Sequence, residues 1–366
     1  MKAASVGQLL LVGVPGPELE VATARLFRAI QPGGYILFGR NLRTPKQLRK
    51  LTDDLRDLSH EEPVITIDQE GGRVSRLRLI GNEPPNAQQL REKGDVGLVR
   101  QHGTLTGQLL RLFGFNLDLC PVLDLSFDDE ADNSLRGRCY GRTVEQVVEL
   151  AGAFDEALRV TGMLSCGKHF PGYAAAGLDP HHELPKINRT RSELERAELA
   201  VFRAFSHRVS SIMVCHAWYP AFDASRLPAS LSRNVVTGLL RGELGFGGLV
   251  MTDDLDMGAV LNEVTFEDAI RNAIYAGNDL AMICHRVTLA AGAVAVLDRL
   301  DPRRLERALE AVERFRTQLA PPTAFSEQAF EDLDERVWKL RVAVLGAERA
   351  AERSLEDGKR SPVETY

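Results

Sequence analysis

Short apolar runs recur along the chain at 9–14, 34–38, 63–67, 115–125, 162–167, 211–215, 248–252 and 280–284. Most are continuous rather than alternating, the pattern expected of parallel strands covered on both faces. Amphipathic segments separate them. The segment 44–58 opens on Thr44-Pro45 and repeats Leu48, Leu51, Leu55 and Leu58 at helical spacing. The segment 190–205 opens on two overlapping capping-box patterns, Thr190 with Glu193 and Ser192 with Glu195. Segments 144–160, 234–243 and 266–276 read as helices in the same way. A strand–helix alternation repeated through all these runs predicts an α/β fold, a single (β/α)8 TIM-type barrel.

In such a barrel the active site lies at the C-terminal ends of the strands. Polar residues fall there: Asp68 after the third run, Asp124 closing the fourth, Lys168-His169 after the fifth, then His216, Asp253 and His285 after the last three. Their coincidence with strand ends points to an enzyme. Beyond residue 287 the pattern turns wholly helical, at 287–300, 302–317 and 326–350, with no further strand–helix unit. Residues 1–350 are therefore expected to form one catalytic domain with a helical C-terminal extension, and 351–366 a polar, disordered tail.

Composition narrows the partners. A formal net charge of -6 argues against nucleic acid, whose phosphates call for a basic face, and against an anionic membrane surface. The apolar run 9–14 is too short to span a membrane and lacks the features of a secretion signal. Five cysteines without paired spacing suit a reducing compartment, with the cytoplasm as the expected location. Neither a GxxxxGK[ST] phosphate loop nor a GxGxxG opening a helix is found, so no nucleotide or flavin cofactor is expected.

The chemistry rests on ordered motifs: Ile67-Asp68-Gln69-Glu70-Gly71-Gly72-Arg73-Val74, Lys168-His169-Phe170-Pro171-Gly172, Asp179-Pro180-His181, and the stretch from Gly245 to Thr252-Asp253-Asp254-Leu255-Asp256-Met257. Through them residues 6–284 resemble glycoside hydrolase family three, and within it the compact bacterial β-N-acetylglucosaminidases of peptidoglycan recycling. The resemblance implies an exo-acting, retaining enzyme that releases terminal β-linked N-acetylglucosamine from muropeptide-type glycosides. Asp253 matches the family's nucleophile, since a carboxylate at a barrel mouth can attack an anomeric carbon. Asp254 suits a helix-capping role better, and Asp256 a solvated one. His181 matches the acid/base, oriented by Asp179 two residues earlier and titrating near neutrality. His182 beside it is an extra residue.

Asp68, Arg76, Arg138, Lys168 and His169 match positions that bind the terminal sugar, where charged groups form the stronger hydrogen bonds to hydroxyls. Arg76 and Arg138 could equally form buried ion pairs with Asp68 or Asp124. His216 resembles a position lining the pocket, although a core histidine bonded to backbone fits as well. Met257 would give the pocket an apolar side. Where the family has His-Gly after Lys-His-Phe-Pro-Gly, this chain has Tyr173-Ala174, which should stiffen the following loop. Three other readings stay open: a phosphorylase using phosphate in place of water, a β-glucosidase of the same family, and a metal-dependent hydrolase drawing on Asp179-Pro180-His181-His182-Glu183. The last lacks a His-x-His after the first strand, so no metal is expected. Nothing in the residues speaks to oligomeric state.

Overall fold

A computed structural model describes residues 6–130, 133–176 and 183–354. The expected barrel is there. Eight parallel strands close on themselves: β1 Leu10–Gly13, β2 Gly34–Leu37, β3 Val64–Ile67, β4 Leu117–Asp118, β5 Leu164–Phe170, β6 Ser211–Val214, β7 Leu249–Asp254 and β8 Leu280–Ile283. Each pairs with the next in sequence, and β1 closes the ring against β8 with Leu10 opposite Ala281 and Val12 opposite Ile283. The strands are buried along nearly their whole length, which explains why their sequences run apolar without alternation.

Helices form the outer ring. Pro45–Leu58 begins as its sequence suggests, with Thr44 accepting from the Gln47 N–H and proline in the first turn. Its leucines 48, 51, 55 and 58 are buried in the hydrophobic core. Val96–Leu112 packs along Val144–Val160, and the later helix Glu327–Leu345 lies across Val96–Leu112, Ala87–Lys93 and Pro45–Leu58. The extension thus covers the β2–β4 side of the barrel.

Three elements differ from the sequence pattern. The run 115–125 supplies only two ladder residues and two isolated bridges, Val122 to Lys168 and Leu125 to Gly141, the ladder being interrupted at Pro121, which has no N–H to donate. The segment 190–205 breaks at Ala197 into Arg191–Arg196 and Glu198–Phe205. Its Thr190–Glu193 capping box forms, whereas Ser192 falls inside the first helix. Asn234–Glu243 is wound as a π-helix, its end marked by the Leu244 N–H bonding to the Leu239 carbonyl. Residues 351–354, counted from the sequence with the polar tail, lie against the loop that follows β3. Among the described residues no helix is long and apolar enough to cross a membrane.

Candidate active site

The strand ends line a pocket, and its wall is built from the second strand round to the eighth. It is lined by Asp68, Arg76, Arg138, Lys168, His169, His216, Asp253 and Met257, together with Phe38, Tyr173, Asp254 and His285. Every described candidate from the sequence is therefore brought together. Asp179, His181 and His182 lie outside the described residues.

The β3–β5 side is a dense ionic cluster. Lys168, almost wholly buried, places its ammonium 2.7 Å from Asp68 Oδ1 and 2.6 Å from Glu70 Oε1. Arg138 clasps Glu70 with both arms, Nε to Oε2 at 2.7 Å and Nη2 to Oε1 at 2.8 Å. Arg76 lies 3.5 Å from the other oxygen of Asp68. Burial works against the Glu70 charge, but Arg138 and Lys168 outweigh it and hold the carboxylate well below its usual range. Burial likewise works against the Lys168 charge, and Asp68 with Glu70 outweighs it, so the ammonium is held above the ordinary lysine range. The bidentate fork and two-sided clasp fix donors in place, as recognition of a polyhydroxylated ligand requires.

Glu70 was not singled out from the sequence, and Arg138 was expected to pair with Asp68 or Asp124 if it paired at all. The signal lay in the motif containing Asp68: after it the chain turns into a short antiparallel ribbon, Gln69–Gly71 with Val74–Ser75, which swings Glu70 inward. Asp124 has a different task. Its Oδ2 accepts from the His169 backbone N–H at 3.1 Å and lies 2.7 Å from His169 Nδ1, while Oδ1 accepts from the Tyr173 N–H at 2.6 Å. A carboxylate facing Nδ1 puts the proton there and leaves Nε2 directed toward Arg138, 3.4 Å away. The peptide bonds Lys168–His169 and Phe170–Pro171 are cis.

The β6–β8 side carries the other carboxylates. Asp253 is partly exposed to the pocket, and its Oδ1 accepts from the Asp254 N–H at 2.8 Å. Asp254 does not cap the following helix as its position suggested. Its Oδ1 accepts from the Asp256 and Cys284 N–H groups, both at 3.0 Å, tying β7 to β8. Asp256 is buried rather than solvated, accepting from the His285 and Arg286 N–H groups at 2.9 Å. Burial and the neighbouring Asp256 charge push the Asp254 carboxyl well above its usual range. Of these adjacent acids, Asp253 is thus the most exposed to the cavity.

His216 combines both sequence expectations, lining the pocket and bonding to backbone. Its Nε2 lies 2.9 Å from the Asp254 carbonyl and its Nδ1 2.7 Å from Ser230 Oγ, so the ring is locked beside Asp253. Met257 is buried at the rim. His285, flanked by Phe38 and held at Nδ1 by Arg40, 3.1 Å away, completes this side. Among the described residues no group of three or more His, Cys, Asp or Glu could hold a metal ion. The five cysteines are all free and buried, with burial pushing the Cys215 thiol up to about 12.

Strand-end carboxylates opposite a fixed array of charged donors and acceptors at a barrel mouth are an arrangement suited to glycoside chemistry. A family model described as the glycosyl hydrolase family 3 N terminal domain matches residues 3–316, and the chain belongs to that family. It is a glycoside hydrolase, and its curated relatives carry the name β-hexosaminidase. That of Tolumonas auensis is 33% identical over 80% of this chain and 86% of its own length. That of Alkalilimnicola ehrlichii is 35% identical over 80% and 85% respectively. The solved family 3 β-N-acetylglucosaminidase of a Paenibacillus species superposes with a TM-score of 0.85 at 32% identity, over 94% of this chain and 69% of that one. Native NagZ from Neisseria gonorrhoeae superposes with a TM-score of 0.78 at 28% identity, over 91% and 97%.

Proposed function

We propose that the protein is a retaining exo-β-N-acetylglucosaminidase acting on muropeptide-type glycosides, with Asp253 as nucleophile and His181, oriented by Asp179, as acid/base. The observation that carries this reading is that Asp253 is the carboxylate exposed at the end of β7, facing the Asp68–Glu70–Lys168–Arg138 array across one pocket. The names of the relatives support the choice of N-acetylhexosaminide as substrate.

Asp68, Arg76, Arg138, Lys168 and His169 would hold the hydroxyls of the terminal sugar, with Met257 against its apolar face. His216 would keep the end of β7 rigid. Asp253 then attacks the anomeric carbon while His181 protonates the departing oxygen, giving a glycosyl-aspartate ester. Water, deprotonated by the same histidine, opens the ester and returns the carboxylate, so two inversions give net retention. No bound cofactor is called for. The compact barrel and buried thiols fit a cytoplasmic setting.

The test is a side-by-side assay of wild type, Asp253→Ala and His181→Ala on aryl β-N-acetylglucosaminide and aryl β-glucoside, with and without phosphate. The N-acetyl substrate should be preferred, with kcat falling at least about 10³-fold in Asp253→Ala and about 10²-fold or more in His181→Ala. Equal activity in Asp253→Ala would exclude the nucleophile assignment. Preference for the glucoside would move the substrate, and acceleration by phosphate would move the reaction to phosphorolysis.

A further inference from the structure

The wall of the pocket that carries Asp68 and Arg76 is a long excursion between β3 and the helix Ala87–Lys93. From inside it is stitched by Gln69, whose side chain donates to Ser75 Oγ at 2.7 Å and accepts from the Leu77 N–H at 3.1 Å. From outside it is gripped by the far end of the chain. Asp334, on the helix Glu327–Leu345, accepts from the Asn82 N–H at 2.6 Å and from Asn82 Nδ2 at 2.7 Å. The approach is so close that a Cβ on Gly81 would stand 2.4 Å from Asp334 Oδ1 and would push that carboxylate aside.

From the end of that helix onward the grip tightens around Glu83, whose side chain is 1% exposed. Arg78 donates to Glu83 Oε2 at 2.9 Å and Arg341 to Oε1 at 3.0 Å. Ser354 adds its hydroxyl to Oε1 at 2.7 Å and its N–H to both oxygens at 3.2 and 3.3 Å. The contact is reciprocal: Arg78 donates to the Ser354 carbonyl at 3.0 Å, and Arg353 donates to the Arg78 carbonyl at 3.1 Å. Burial opposes the Glu83 charge, yet Ser354, Arg78 and Arg341 outweigh it and hold the carboxylate below its usual range. Arg78 sits two residues from Arg76 in the same tight turn, Arg76–Leu79. All of the gripping residues lie beyond 316, where the family match ends.

From these contacts we propose that the C-terminal segment through Ser354 is a clamp that sets the position of Arg76 and Asp68, and so tunes affinity for the terminal sugar. Asp334, Arg341, Arg353 and Ser354 are positioning residues for binding. They leave the chemical step at Asp253 alone, because that residue belongs to β7, whereas the hydrogen bonds these four residues make outside the C-terminal segment go to the β3 excursion. The inference rests on reading Arg76 and Asp68 as sugar-binding groups.

The experiment compares full-length wild type, the double variant Arg353→Ala/Ser354→Ala, and Ser354→Thr, which keeps the hydroxyl. Kinetics are read on the aryl β-N-acetylglucosaminide, together with amide hydrogen exchange. The double variant should raise KM about three- to tenfold with kcat within about twofold of wild type. Amides of 76–84 should exchange faster while those of β7 do not change, and Ser354→Thr should behave as wild type. A fall in kcat at unchanged KM, or faster exchange with both constants unchanged, would overturn the clamp. A wild type inactive on this substrate would instead refute the functional reading. In that case the affinity role falls with it, and unchanged exchange of 76–84 in the double variant would overturn the mechanical grip as well.

Discussion

Two buried acids near Lys168 end up shifted in opposite directions, although burial disfavours the charge of both. Glu70 has two cations clasping it, so folding favours its charged form. Its stabilisation is full above the ordinary carboxylate range and is lost only as pH falls toward its depressed folded value. Asp118, at the end of β4, has its Oδ1 on the Gln69 N–H at 3.2 Å and no hydrogen-bond partner at Oδ2. Burial pushes it well above the usual range, so its sign is reversed: the stabilisation is full below the ordinary range and is lost as pH rises through the raised value. Glu70→Gln should therefore destabilise the fold by about 3–5 kcal/mol, since it leaves buried cations without their counter-charge. Asp118→Asn should cost less than about 1 kcal/mol at pH 5 and stabilise at pH 8. Thermal melts of both variants at the two pH values decide this; equal melting of Glu70→Gln and wild type would mean the clasp contributes nothing.

At the level of the element, β5 shows how a strand end becomes a pocket wall. Its last residues present Lys168 and His169; Asp68 and Glu70 hold the lysine, and Asp124 from the preceding unit accepts from the His169 and Tyr173 N–H groups and faces the His169 ring. Both oxygens of Asp124 accept, so Asp124→Asn must turn an amide NH2 toward a donor whichever way it rotates. That clash should weaken sugar binding about tenfold or more, seen as a rise in KM, with an unchanged KM counting against the role. This arrangement also shows what the sequence could and could not convey. Lys168, His169, His216 and Asp253 were legible because each follows an apolar run directly, and parallel topology fixes what such a position faces. Glu70 and Asp256 were not, because one sits in an irregular ribbon and the other is buried by contacts with β8. Neither placement follows from local periodicity. The break at Ala197 and the π-helical turn of Asn234–Glu243 were hidden for the same reason, since hydrophobic spacing changes little when a helix is interrupted or slightly overfilled.

At the scale of the whole molecule, the barrel was the most legible feature and the C-terminal grip on Glu83 the least, because ion pairs between distant segments leave no periodic trace. The ring is closed by its first and last strands, Leu10–Val12 against Ala281–Ile283. The ribosome releases these two partners at opposite ends of the work. At ordinary translation rates β1 waits on the order of tens of seconds for its neighbour, with an unpaired strand edge open to other chains. A fragment ending at residue 279, which never receives β8, should show no cooperative melt and should aggregate where the full chain stays dispersed. Calorimetry and light scattering on the two would settle it, and a cooperative transition in the fragment would mean that seven strands suffice. If they do not, a nascent chain of this protein depends on being shielded until nearly all of the barrel has been synthesised.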